Sequence, residues 1–210
     1  MKIKGYGHSC FLMTSNEGVR IITDPFATGI GYPEPNVEAD IVTVSHSHYD
    51  HNKVEVLKGT FQVLDKPGEY EQKGIQVKGI LSSHGHILGK NVIFKYVMDN
   101  IHICHLGDLG KALNEDQIHA IGKVDILFIP IGGGGMVLSP KKAMKVIEQL
   151  KPNTVIPMHY KTKALSNRFF LLKDEKEFLS YVNTVYTGIK EIEVDEGNLE
   201  NLKGSVLLSY

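Results

Sequence analysis

The feature that most constrains this chain is a dense cluster of metal-ligand side chains at residues 45–51, directly after the largely apolar run Ile-Val-Thr-Val at residues 41–44. The period of two along a strand places His46 and His48 on the same side of the extended segment. Asp50 and His51 then fall in the turn that follows and approach the same point from another direction. Imidazole and carboxylate together suit zinc and its first-row neighbours. A histidine-rich surface loop is the alternative, but the pattern favours a metal site at a strand end.

Composition sets the broad class of protein. The 210 residues, 42% hydrophobic and 22% charged, suit one large domain over residues 1–210. A net charge of -1 without a basic block disfavours nucleic acid as a partner. No apolar run approaches the ~18 residues of a membrane span, and the N-terminus has no apolar signal core. We therefore expect a cytoplasmic protein with a small-molecule substrate and no membrane partner. Cys10 and Cys104, both in apolar runs, are expected to be buried reduced thiols.

Hydrophobic periodicity predicts strands in the first half and strand–helix alternation in the second. Strands are expected at 2–6, 10–14, 19–23, 41–45, 61–64, 74–81, 91–98, 101–106, 125–129 and 154–158, with β-rich ends near 189–194 and 205–210. Helices are expected near 53–58, 114–121, 140–150 and 174–182. This order of elements favours two packed sheets with helices outside.

Further ligand types follow other predicted strands. These are Asp24, His84, Asp108 and His159. Rigid strand ends can present side chains in a fixed geometry, so we expect these groups to meet the histidine cluster. His86 competes with His84, because it lies two residues further along the same face.

Together these motifs closely resemble the metallo-β-lactamase-fold superfamily. The matching segments are Thr-Asp-Pro at 23–25, His-x-His-x-Asp-His at 46–51, His84, Leu-Gly-Asp at 106–108 and Pro-Met-His-Tyr at 157–160. Segments 7–9, 67–70, 104–110 and 156–161 are most similar to small single-domain Zn-dependent hydrolases related to L-ascorbate-6-phosphate lactonase. The resemblance implies an α/β (α+β) fold arranged as a four-layer αββα sandwich.

The resemblance also implies a ligand set for two divalent metal ions. His46, His48 and His84 would hold the first ion, and Asp50, His51 and His159 the second, with Asp108 bridging. Asp24 would orient a ligand. Zn²⁺ is the expected metal, with Mn²⁺ or Fe²⁺ as alternatives. Two cations ~3.5–4 Å apart can share a hydroxide and lower its pKa, so Asp50 and Asp108 become the catalytic candidates. Asp50 could also pass a proton to the leaving group.

Several candidates keep two interpretations. His8 could contact substrate or be satisfied by loop backbone. Tyr160 and Lys161 could polarise an oxyanion or bind phosphate, whereas simple solvation is the alternative for Lys161. His105 could orient a ligand, but a hydrogen-bonded core histidine is favoured. Glu69 is explained nearly as well by a turn.

The glycine run at 132–135 lacks the nucleotide-binding fingerprints and predicts a tight, mobile loop at the pocket rim. The favoured function is a metal-dependent hydrolase acting on a lactone, phosphodiester or related ester or amide. The alternative is a non-catalytic metal-binding scaffold or sensor on the same fold. Substrate identity and oligomeric state are not readable from the sequence.

Overall fold

The computed structural model describes residues 1–85 and 88–210. The strands are β1 (Lys2–Gly7), β2 (Cys10–Thr14), β3 (Arg20–Thr23), β4 (Ile41–Thr43), β5 (Gln62–Leu64), β6 (Gly68–Gln72), β7 (Ile75–Ser83), β8 (Lys90–Met98), β9 (Ile101–His105), β10 (Ile126–Pro130), β11 (Thr154–Met158), β12 (Val185–Ile189), β13 (Glu191–Glu193) and β14 (Gly204–Leu208). The helices are α1 (Glu115–Ile121), α2 (Pro140–Leu150) and α3 (Lys176–Leu179), with 3-10 segments at Val54–Val56, Asn167–Phe169 and Leu199–Leu202.

The strands form two sheets. One has the order β13-β1-β2-β3-β4-β5, and the other has the order β12-β14-β11-β10-β9-β8-β7-β6. Strand β6 was not predicted. It pairs antiparallel with β7 at the edge of the larger sheet. Its side chains are half-exposed or exposed, so hydrophobic alternation gave little signal there.

The core between the sheets follows from the alternation of side chains along each strand. Ile3 and Phe11 point inward from the smaller sheet, and Phe94 and Phe128 point inward from the larger one. The rings of Phe11 and Phe128 lie 4.4 Å apart between centroids and join the two sheets. Cys10 and Cys104 are buried free thiols on the outer faces.

The two outer faces are covered differently. Helices α1, α2 and α3 pack Ile121, Val146 and Phe178 against the larger sheet. The smaller sheet is covered by Phe26 and Ile30, which belong to the loop after β3, and by other irregular segments. Within the described ranges, no α-helix contributes to that second outer layer. The metallo-β-lactamase fold class predicted from the sequence is confirmed, but one outer layer of the expected αββα arrangement is formed by loops.

Two predicted helices are shorter than expected. The segment near 53–58 is a single 3-10 turn because Val54 and Val56 are β-branched and Lys53 provides no side-chain cap. The helix expected at 174–182 is limited to α3. In contrast, α1 begins close to its predicted start, with a capping box formed by Asn114 and Gln117. None of the helices in the described part of the chain is long and apolar enough to cross a membrane.

Strand direction gathers the candidate side chains at one edge of each sheet. In the smaller sheet, β3 and β4 are parallel, and β1 runs with them because β2 is antiparallel to both β1 and β3. In the larger sheet, β9, β10 and β11 are parallel, and β7 runs with β9 because β8 is antiparallel to both. The candidate ligands follow the C-terminal ends of β1, β3, β4, β7, β9 and β11.

Candidate metal centre

Asp108 lies at the centre of a ring of imidazoles. Its Oδ2 is 3.0 Å from Nε2 of His84, 3.1 Å from Nε2 of His159, 3.3 Å from Nε2 of His51 and 3.7 Å from Nε2 of His46. The carboxylate is buried, with only 2% of its surface exposed. Four imidazoles from the ends of three strands, β4 in one sheet and β7 and β11 in the other, therefore converge on one oxygen atom.

The potential ligands form two groups whose ligand atoms lie within 4.8 Å of one another. The first group is His46, His48 and His84, and the second is His8, Asp50, His51 and His159. A third set, His46, His51 and Asp108, links the two groups. The seven side chains predicted as ligands thus meet, and His8 joins them. Their role as ligands stays a prediction. His86 lies outside the described residues, whereas His84 belongs to the first group.

Asp24 organises the smaller-sheet side of the centre. Its Oδ1 accepts a hydrogen bond from the backbone N–H of Ser45 at 2.7 Å, and its Oδ2 lies 2.9 Å from Nδ1 of His51. Burial opposes ionisation of Asp24, but the hydrogen bond and positive charge of His51 outweigh burial and lower its pKa. Because the carboxylate holds the proton on Nδ1, Nε2 of His51 is free to bind a cation.

Ser45 extends this orientation to a second histidine. Its Oγ lies 2.7 Å from Oδ2 of Asp24 and 2.9 Å from Nδ1 of His46. The hydroxyl has one proton, so it donates to the carboxylate and accepts from the imidazole. This chain of hydrogen bonds places the proton of His46 on Nδ1, so Nε2 carries the lone pair that can bind a metal. Ser45 was not among the predicted site residues, although its position directly before His46 was the available signal.

Asn91 and Gly107 shape the loop that carries Asp108. Asn91 Oδ1 accepts from the backbone N–H of Asp108 at 2.9 Å, and Asn91 Nδ2 donates to the carbonyl of Leu106 at 2.9 Å. Gly107 has a φ of 54°, and a Cβ there would collide with Asn91 and Ser45. The loop therefore requires glycine, and Asn91 is a further supporting residue that the sequence did not reveal.

His105 is a hydrogen-bonded core residue, which was its favoured interpretation. Its Nε2 lies 3.0 Å from the carbonyl of Ser9, and its Nδ1 accepts from the N–H of Gly107 at 3.2 Å. It therefore connects the turn that carries His8 to the loop that carries Asp108.

His8 lies behind the centre. It is 5% exposed, and its Nε2 is 3.0 Å from Oδ2 of Asp50. Its ring lies 4.0 Å from that of His159, and its carbonyl accepts from the N–H of His159 at 3.1 Å. Both histidines have positive φ angles, 55° and 51°. Side-chain and backbone contacts with ligand candidates account for His8, rather than contact with a substrate.

The polar atoms around Asp108 fit a cation. Among the described residues, Nε2 of His46, His51 and His84 and Oδ1 of Asp108 are buried without a hydrogen-bond partner. Burial lowers the pKa of His46 to about 3, which keeps its imidazole in the neutral, metal-binding form. Burial also disfavours charge on His51, but Asp108 and Asp50 reverse this effect and raise its pKa. The field at His51 therefore favours a positive charge, which a bound cation would supply.

A cavity of about 460 Å³ opens above the centre. Its base includes His48, Asp50, His84, Asp108 and His159, and its rim includes Tyr49, Met136, Arg168 and Phe169. Met136 directly follows the Gly132–Gly135 run, which places the predicted tight loop beside the rim. Gly133, Gly134 and Gly135 all have positive φ, so the conformation of this loop favours glycine. Arg168 was not among the predicted site residues.

Two predicted substrate contacts do not lie in this cavity. The ammonium of Lys161 is 3.4 Å from the carbonyls of Leu165 and Ser166 and braces that turn. Tyr160 borders a separate void of about 20 Å³ behind His8. Their positions argue against a role in polarising substrate, because sequence adjacency to His159 does not determine where the following side chains point. Glu69 lies in strand β6 rather than in a turn, does not line this cavity, and pairs with Lys78 at 3.1 Å.

Comparison with known proteins assigns the family. The model of the β-lactamase superfamily domain matches residues 2–159, which is most of the chain. The chain therefore belongs to the β-lactamase superfamily.

Similar proteins refine this assignment. A UPF0173 metal-dependent hydrolase from Thermoplasma acidophilum is 30% identical over 92% of this chain and 96% of its own length. One from Thermococcus onnurineus is 30% identical over 77% of this chain and 85% of its own. A crystal structure from Thermotoga maritima, assigned to the Zn-dependent hydrolases of the metallo-β-lactamase superfamily, is 38% identical with a TM-score of 0.84, covering 99% of this chain and 97% of that one. With the His/Asp cluster, these similarities place the chain among the metal-dependent hydrolases of this superfamily.

Proposed function

We propose that this chain hydrolyses a small anionic or neutral ester-like substrate at a centre of two divalent cations, with Zn²⁺ as the preferred metal. The observation that carries this proposal is the pair of ligand groups that share Asp108. One imidazole-rich group on each side of a single carboxylate suits two cations better than one.

The ligands divide between the cations as the groups divide in space. His46, His48 and His84 would hold one cation, Asp50, His51 and His159 would hold the other, and Asp108 would contact both. When bound, such a pair supplies Lewis-acid polarisation of the substrate and lowers the pKa of a water molecule. Imidazole favours zinc, whereas the carboxylates also accept Mn²⁺ or Fe²⁺.

Asp50 is the proton-handling group of this proposal. It lies at the base of the cavity, and its Oδ2 is held by Nε2 of His8 at 3.0 Å. Burial lowers the pKa of His8 to about 4, so the neutral ring donates to Asp50 and fixes that oxygen in place. Burial disfavours the ionised form of Asp50, but His51 and His8 lower its pKa and keep it a carboxylate. A carboxylate so placed can accept a proton from the attacking water and return it to the leaving group.

The proposed substrates are lactones, phosphodiesters and related esters or amides of small size. The cavity volume of about 460 Å³ falls within the range of small-molecule sites. The similarity to the lactonase-related hydrolases adds support for a lactone or a phosphorylated molecule. A non-catalytic scaffold is disfavoured because every predicted ligand position carries a competent side chain.

The test combines metal content with turnover. Protein purified without chelator is analysed by inductively coupled plasma mass spectrometry, and zinc-, manganese- and iron-loaded samples are assayed on a panel of lactones, phosphodiesters and thioesters. Two bound metals per chain and hydrolysis of at least one class are expected. Two metals without turnover on any class would favour the scaffold, and fewer than two after loading would contradict the dinuclear centre.

A further inference from the structure

Arg168 stands at the rim of the cavity above the ligand cluster. It lines the same cavity as His48, Asp50 and Asp108. Among the described residues that line this cavity, it is the one Lys or Arg side chain. The rest of the rim, including Tyr49, Met136 and Phe169, is largely apolar. A single cation on an apolar rim is a selective feature, because it attracts one negative group and offers the remainder of a substrate hydrophobic contact.

The backbone that carries Arg168 is anchored on both sides. Leu165 and Phe169 are buried in the core cluster on the outer face of the smaller sheet. The N–H of Ser166 donates to the carbonyl of Ile30 at 2.7 Å, and the N–H of Phe169 donates to the carbonyl of Ser166 at 3.1 Å. The backbone at Arg168 is therefore fixed beside the cavity, whereas its side chain can still extend toward a ligand. Because the backbone is already ordered, less conformational entropy is lost when a ligand binds.

The guanidinium is not neutralised by the acidic groups beneath it. Asp50 is paired with His8 and lies 3.5 Å from Nε2 of His51. Asp108 is surrounded by imidazoles. In residues 1–85 and 88–210, the Arg168 side chain forms neither an ion pair nor a hydrogen bond, and its backbone N–H alone is engaged, by Ser166 Oγ at 3.4 Å. Its donors are thus available to an incoming group.

We infer that Arg168 is a specificity residue that binds a carboxylate or phosphoryl group on the substrate, at a distance from the bond that is cleaved. This inference rests on the proposed hydrolytic site and narrows its substrates to those that carry an anionic substituent. Carboxylate and phosphoryl groups share the geometry that accepts two N–H donors of a guanidinium. Lysine would supply a positive charge but not the planar pair of N–H donors.

The test measures the binding of molecules that carry two anionic groups, and it does not depend on turnover. Zinc-loaded protein is titrated calorimetrically with the dicarboxylates malonate, succinate, glutarate and adipate, each against the monocarboxylate of the same length. One carboxylate of each probe can occupy the metal centre, so the ratio of dissociation constants reports the second anion. We expect a preference of roughly tenfold at one chain length, as for a charge-assisted contact. Phosphonocarboxylates of that length show whether a phosphoryl group is bound more tightly than a carboxylate.

Arg168→Gln is expected to reduce the ratio to about one while leaving monocarboxylate binding unchanged, and Arg168→Lys is expected to retain part of the preference. Lys163→Gln is the matched control, because this exposed cation does not line the cavity. No preference in the wild type, an unchanged ratio in Arg168→Gln, or an equal loss in Lys163→Gln would overturn the inference. Metal content, measured on the same samples, tests independently whether the centre holds two metal ions.

Discussion

The two ligand groups of the centre differ in how firmly the protein holds them. In the second group, His8 contacts both Asp50 and His159, and Asp24 holds His51. In the first group, Ser45 holds His46, but His48 is half-buried. Nδ1 of His84, like Nδ1 of His159 in the second group, has no hydrogen-bond partner among the described residues. Every member of the second group is buried, so we call it the interior group, whereas the first group contains the half-buried His48 and is called the open group. Both groups contribute side chains to the base of the cavity.

Backbone geometry sharpens the difference. Asp24, His8 and His159 have φ angles of 40°, 55° and 51°, in the left-handed region that non-glycine residues rarely adopt. Such conformations cost of order 1–3 kcal/mol each and persist where the surroundings determine them. The ligand candidates of the first group have no such angles. The strain is concentrated around the second group, which indicates that its geometry is set before any ligand arrives.

A preorganised site loses less entropy when it binds, so the second group should bind its metal more tightly than the first. The open group is then the one that exchanges metal and adjusts to substrate. Substitutions on either side of Asp108 can separate these two roles.

The largest effect is expected from Asp108→Asn, which removes the charge that both groups share. The amide keeps the volume but cannot balance two cations, so metal content should fall at both positions and hydrolysis should drop on the order of 10³-fold. Asp116→Asn, on the exposed first turn of α1, serves as the control for loss of one acidic charge. Retention of both metals by Asp108→Asn would show that the groups do not depend on this carboxylate.

His48→Ala is expected to remove the metal of the open group and leave the interior group loaded. The stoichiometry should fall from two metals to one, with the remaining metal bound as tightly as the tighter metal of the wild type. Calorimetric titration of the metal-free protein with zinc measures both steps. Simultaneous loss of both metals would contradict the independence of the two groups.

The sequence predicted the strand ends well because the ligand motifs follow short apolar runs that form buried strands. It predicted that Asp24 orients a ligand, but it did not predict the supporting roles of Ser45 and Asn91. Asn91 is the second residue of β8 but supports the loop after β9, and Arg168 reaches the cavity from the 3-10 segment that follows β11. Those roles depend on which strands pair and where loops return. The same limit explains Tyr160 and Lys161, whose neighbour in sequence is a ligand candidate but whose side chains point elsewhere.

Asp24→Asn tests the support of the interior group. The amide can present its NH₂ group to His51, which disturbs the tautomer that leaves Nε2 free. Zinc affinity of the second group should fall about 10- to 100-fold, the usual range for the partner of a metal-binding histidine. The first group should lose less, because it depends on Asp24 only through Ser45. Thermal denaturation of the metal-free variant separates this effect from loss of folding. An equal loss in both groups would remove the distinction between them.

Ser45→Ala should have the smallest effect and should act on the open group. It removes the hydroxyl between Asp24 and His46 but leaves the Ser45 N–H, which still donates to Asp24 Oδ1 at 2.7 Å. His46 then loses the acceptor of its Nδ1 proton, so zinc affinity of the first group should fall about tenfold, at the low end of such effects. The contact between Asp24 and His51 is untouched, so the second group should bind zinc as in the wild type.

Ser47→Ala is the matched control, because its exposed side chain makes no hydrogen bond within residues 1–85 and 88–210. A loss confined to the second group would show that the hydroxyl serves His51 through Asp24 rather than His46.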